Sequence, residues 1–144
     1  MIEHRKIDRI AYPWLIRRFI DPDAVFLYVP TAEVFATAER ERAIAYDIPG
    51  APFSHVGDQC SFDAFINRFR LEDAPLQTVA LIVRGADTDA LSLAPQSAGL
   101  LAISLGYSKN IDDDHAMLAA MMPVYDALYR WVLDAVAATD EKHN

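Results

Sequence analysis

The sequence predicts an α+β fold, mostly helical with a small sheet of two or three strands, in a single domain. Three observations lead there. The chain has 144 residues, 53% of them hydrophobic, which suits one domain with a real core. Two short runs in its first third, residues 25–29 (Val-Phe-Leu-Tyr-Val) and 43–48 (Ala-Ile-Ala-Tyr-Asp-Ile), are rich in strand formers and each is closed by a proline. The remainder carries apolar residues at helical spacing, and strands early with helices late is the pattern of α+β rather than of a wound parallel sheet.

In chain order, residues 12–20 read as a short helix with Pro13 in its first turn, where a missing N–H costs nothing, stopped by Asp21-Pro22-Asp23. The strand 25–29 follows, then a helix over 31–42 with Thr31 as cap, then the strand 43–48 ended by Pro49-Gly50. Residues 51–60 have loop composition, and Ser61 caps a helix to Leu71 with Phe62, Phe65, Ile66 and Phe69 on one face. Residues 76–83, opened by Pro75, fit a helix better than a strand, and Arg84-Gly85-Ala86-Asp87-Thr88 reads as a turn. A small-residue helix over 95–105 is closed by Gly106. Asp112, Asp113 and Asp114 give the last helix an acidic start that suits its dipole. That helix runs to about Ala138, kinked at Pro123, with Leu118, Met121, Met122, Tyr125, Leu128 and Val132 on one face. The domain is therefore 1–138, and 139–144 is a polar tail.

Composition excludes several classes. The net charge of −8 argues against direct nucleic-acid binding, which needs a basic face. A lone cysteine, Cys60, rules out an internal disulfide and suits a reducing compartment. Without a signal-like start or a long uncharged apolar stretch, the expected location is the cytoplasm, away from membranes. There is no GxGxxG, GxxxxGK[ST] or GxSxG, so no nucleotide or flavin motif and no nucleophile elbow.

Charge is nonetheless uneven: residues 1–18 sum to +3 and residues 19–144 to −11. The arginines Arg9, Arg17 and Arg18 either form a site for a small oxyanion, whose geometry guanidinium forks match, or pair with carboxylates of the late helix. Trp14 lies where it could stack on an arginine or sit in the core. Arg84, Asp87 and Gln96 are further ligand-binding candidates. His55, Asp58, Cys60 and Asp63 gather metal-compatible ligands within nine residues, without the paired Cys or His spacing of zinc sites. A divalent transition metal is the cofactor they would suit. Cys60, His55 and Asp63 are also the candidate catalytic residues, since a thiol just ahead of a helix N-terminus has a lowered pKa.

Several stretches together resemble the bacterial chromate-resistance protein family, in the C-terminal domain of ChrB. They are residues 6–11 (Lys-Ile-Asp-Arg-Ile-Ala), 13–22, 26–30, 46–50, 60–63 (Cys-Ser-Phe-Asp), 82–88 (Ile-Val-Arg-Gly-Ala-Asp-Thr), 93–96, 98–106 and 125–129. Fuller members of that family are read as chromate-responsive regulators with an added N-terminal region. The resemblance implies a protein that binds or senses chromate, or a related small oxyanion, through Arg9, Arg17, Arg18 and Arg84. A metal- or thiol-dependent enzyme that detoxifies chromate or its by-products is the second reading. The third is an interaction module for a chromate-responsive regulator or transporter. The binding reading is placed ahead of the enzyme, because one cysteine without a redox cofactor motif makes a poor multi-electron reductase. A homo-oligomer is left open. If a metal binds, metal analysis of the purified protein should find it stoichiometric, and His55→Ala should abolish its uptake while the fold stays intact; full metal content in that variant would remove the metal-enzyme reading.

Overall fold

A computed structural model of the chain describes residues 5–27, 66–67, 70–88 and 90–143. Among them are four α-helices: α1 (Arg5–Phe19), α2 (Ala74–Asp87), α3 (Pro95–Asn110) and α4 (Asp114–His143), with a 3-10 turn at Leu91–Leu93 between α2 and α3.

No strand occurs among the described residues, so the expected α+β fold with its small sheet is corrected to a helical architecture. Residues 25–27 keep the alternation of a strand, with Val25 81% exposed, Phe26 buried and Leu27 exposed, yet they pair with no strand among the described residues. Strand-forming composition records only a fit to a pleated, half-buried surface, and a second strand has to supply that surface. Here a helical core receives Phe26 instead. Residues 28–29 and the expected elements at 31–42, 43–48 and 51–60 lie outside the described residues.

The α1 helix begins at Arg5, well before Tyr12, and Pro13 sits inside it rather than in its first turn. Its apolar residues Ile7, Ile10, Ala11, Trp14 and Leu15 recur at helical spacing and are all buried, and that burial offsets the hydrogen bond a mid-helix proline removes. Arg17 and Arg18 occupy the last turn, where the dipole favours cations. The stop at Asp21-Pro22-Asp23 is as expected: Asp21 N–H bonds back to the Ile16 carbonyl at 2.7 Å, and the Asp21 carboxylate accepts the Asp23 N–H at 3.0 Å.

The apolar run from Leu76 continues through Arg84, Gly85, Ala86 and Asp87 as helix. The expected turn there is the last turn of α2, and only Thr88 lies beyond, its N–H and hydroxyl both donating to the Arg84 carbonyl. Gly85 does not break the helix because it is where α3 comes closest. A Cβ on Gly85 would lie 2.3 Å from Ser97 Oγ and 3.0 Å from the Ala90 carbonyl oxygen. Ser97 Oγ in turn donates to the Ile82 carbonyl at 2.9 Å, a buried bond between the two helices. Ser97, Leu100 and Ser104 form the inward stripe of α3, which runs on through Gly106 to Asn110. An interior glycine costs about 1 kcal/mol relative to alanine, which is not enough to end a helix.

Asp113 caps α4 by accepting the Ala116 N–H at 2.8 Å, so the acidic start has the expected role. Leu118, Met121, Met122, Tyr125 and Val132 are buried along one face, and α4 continues past Ala138 to His143. Arg70, with φ 50°, ends the helical turn at residues 66–67 in the left-handed conformation that usually selects glycine. The Leu71 N–H closes on the Ile66 carbonyl at 3.1 Å.

The helices α1 and α2 pack on each other, and α3 and α4 each pack on both. Arg9 meets Asp114 and Arg18 meets Asp126, so α1 and α4 run in the same direction. No helix among the described residues is long and apolar enough to cross a membrane.

The close approach at Gly85 gives a stability test. Gly85→Ala should lower unfolding stability by about 1–3 kcal/mol, because either the helices separate or Ser97 turns away from Ile82. Gly99→Ala, whose Cβ would meet nothing within 4 Å, should leave stability unchanged or raised by up to about 1 kcal/mol. Urea midpoints of the two variants measure the difference.

Candidate functional site

The α1 helix carries four of the residues singled out from the sequence, and each has a distinct environment. Trp14 is 1% exposed and belongs to the core. Its ring lies against Phe19, Tyr125 and Tyr129 at centroid distances of 5.6, 5.8 and 5.9 Å. Its indole N–H donates to Asp126 Oδ1 at 2.8 Å. Arg18, one turn on, holds the same carboxylate with Nε on Oδ1 and a terminal nitrogen on Oδ2, both at 2.9 Å. The hydrogen bonds from Arg18 are the main reason the Asp126 carboxyl is held below its usual range, with the indole contributing; the Arg18 guanidinium is raised in return.

Arg9 places one guanidinium nitrogen 3.2 Å from both oxygens of Asp114. This pair is solvent-exposed, of a kind worth about 0–1 kcal/mol. Arg17 takes neither partner. Its Nε donates to the Ala24 carbonyl at 3.2 Å and its guanidinium lies 4.9 Å from the centre of the Phe26 ring. Arg17 thus holds the segment after α1 against the helix.

Arg84 differs from all three. It lies on the least covered stripe of α2, with Gln77, Leu81 and Thr88, and is itself partly buried. Its Nε is shielded from solvent and has no hydrogen-bond partner. Asp87 is buried in the same turn of α2, and Gln96 is half-buried at the start of α3. The structure therefore unites Trp14 and Arg18 on one carboxylate, sets Arg9 and Arg17 on separate partners, and leaves the Arg84 Nε without a hydrogen bond. His55, Asp58, Cys60 and Asp63 lie outside the described residues. Among the described residues no group of three or more His, Cys, Asp or Glu could hold a metal ion.

Sequence reasoning passed over Asp126, Asp73 and Tyr129. The Tyr129 hydroxyl donates to Asp73 Oδ2 at 2.5 Å, linking α4 to the residue that opens α2. The usable signal was the spacing of Trp14 and Arg18: four residues apart on one helix face, an indole N–H and a guanidinium ask for one shared acceptor.

Residues 2–132 match the family model described as ChrB, C-terminal domain. The chain belongs to the ChrB chromate-resistance family. Protein ChrB of Cupriavidus metallidurans is 34% identical over 128 residues, covering 88% of this chain and 38% of that relative. The chain thus spans well under half the length of this ChrB relative. No solved structure matches it.

The Tyr129–Asp73 bond sets an alkaline signature for this ChrB-family domain. Burial, aided by the neighbouring Asp73 carboxylate, pushes the Tyr129 hydroxyl up to about 12. A group raised in the folded state stabilises fully below its unfolded value, near 10, and loses that contribution as pH rises through the folded value. Between about pH 10 and 12, wild type should therefore lose stability that Tyr129→Phe does not lose. Denaturation midpoints of both proteins across that range are the check.

Proposed function

We propose that this protein binds chromate, or a tetrahedral oxyanion of like charge, with Arg84 as the principal ligand. The observation that carries the reading is the shielded, unpartnered Nε of Arg84. A buried donor left unsatisfied costs about 1–3 kcal/mol, and more for a charged group, so a fold that keeps one is better explained by an anionic partner that arrives later. A tetrahedral oxyanion offers two oxygens at the spacing of one edge of a guanidinium, which allows a bidentate contact. The surrounding protein carries net charge −8, so recognition has to be local rather than a property of the overall field.

Membership in the chromate-resistance family supports chromate over other anions. Arg9 and Arg18 are held by Asp114 and Asp126, so their part in the proposal is to fix α1 against α4. Arg17, which has no carboxylate partner among the described residues, is the second cation available.

Calorimetric titration with chromate, sulfate and phosphate tests this. Arg84→Ala should weaken chromate binding by about 10- to 100-fold, the range expected for a charge-assisted contact. Arg84→Lys should recover only part of it, because an ammonium lacks the fork. Arg9→Ala should bind as wild type. Unchanged affinity in Arg84→Ala overturns the proposal.

A further inference from the structure

The outer face of α4 has a composition that its role in the core does not explain. Ala119, Pro123, Ala127, Trp131 and Ala135 follow one another every four residues and all are exposed. Each step of four turns about 40° around the helix, so Ala127, Trp131 and Ala135 share one side as a ridge over about 12 Å at 1.5 Å per residue, with no charged member. Trp131 is 50% exposed, an unusual place for so large an apolar side chain. Beside the ridge, Arg130 and Asp134 are exposed and lie 3.4 Å apart as a pair within the helix. The cation precedes the anion, which is the weaker order for such pairs, so the bond is readily exchanged.

We infer that this face pairs with the same face of a second copy of the chain, with the two α4 helices antiparallel about a two-fold axis at Trp131. The pattern is self-complementary in both shape and charge. Reversing the helix about Trp131 sets each Ala127 opposite Ala135 of the second copy, two small residues that let the helices approach. The two Trp131 rings meet at the centre, where large aromatic side chains contribute most to an interface. The same reversal brings each Arg130 within two residues, about 3 Å along the axis, of Asp134 of the second copy. A two-fold contact requires that residue i meet j while j meets i, and a face holding both a large and a small residue, and both signs of charge, meets that requirement by itself. Each copy carries net charge −8, and physiological salt screens that long-range repulsion beyond about 8 Å.

Sedimentation equilibrium of the whole chain at physiological salt is the test. Wild type should show a monomer–dimer equilibrium at sub-millimolar concentration. Trp131→Glu should weaken it by about 30-fold or more, with its helical circular dichroism unchanged. Arg130→Asp alone should also weaken it, and adding Asp134→Arg should restore it, because the double change keeps opposite charges facing across the axis. A wild type that stays monomeric, a Trp131→Glu variant that dimerises as wild type does, or a charge reversal that is not rescued would each overturn the inference.

Discussion

A buried indole needs an acceptor for its N–H, and in this fold one carboxylate answers that need and a second one besides. Asp126 accepts from Trp14 in the core and from Arg18 at the rim. Its side chain is 44% exposed, so one side keeps water and the charge escapes the full cost of burial. The shared acceptor fixes how far α1 slides along α4. Trp14 then sits among Phe19, Tyr125 and Tyr129, and Tyr129 in turn reaches Asp73 at the mouth of α2. One carboxylate thus sets the register of α1 on α4, and the Tyr129–Asp73 bond carries it on to α2.

The other half of the core is held differently. Between α2 and α3 the contact is made by what is missing: Gly85 has no side chain, and Ser97 fills the space while satisfying its hydroxyl on the Ile82 carbonyl. Ser104 turns its hydroxyl back onto the Leu100 carbonyl of its own helix. Small residues with internally satisfied hydroxyls let α3 lie close without a continuous apolar stripe. This is why α3 reads poorly as an amphipathic helix and still buries one side.

These two arrangements decide which charges are available. The carboxylates of α4 take up Arg9 and Arg18, the chain after α1 takes up Arg17, and the shielded Arg84 Nε has no hydrogen-bond partner. Of the cations in the basic start of the chain, Arg9 and Arg18 dock α1 on α4. Arg84, on which the proposed oxyanion site rests, comes from a segment whose sequence reads as a turn and which is the last turn of α2. In the chromate-resistance family that distinction bears directly on which arginine a ligand would contact.

The helical spacing of Leu118, Met121 and Tyr125 determines one core face by itself, because a 3.6-residue period leaves only one side to bury, whereas Ile7 and Ile10 lie ahead of the helix expected from Tyr12 and joined a core face only in the fold. The acidic cap of α4, the stop after Phe19 and the family were legible for equally local reasons. The absence of a sheet from the described residues was not. Val25 and Phe26 suit a strand, but a strand exists only when another chain segment supplies its hydrogen bonds, and that is a tertiary event. The same holds for Arg84 to Asp87: a glycine inside an apolar run reads as a break until a neighbouring helix is seen to need the room. Whether an arginine is a ligand or a strut depends on which carboxylate lies across from it, and residues separated by more than a hundred positions meet only in the folded chain.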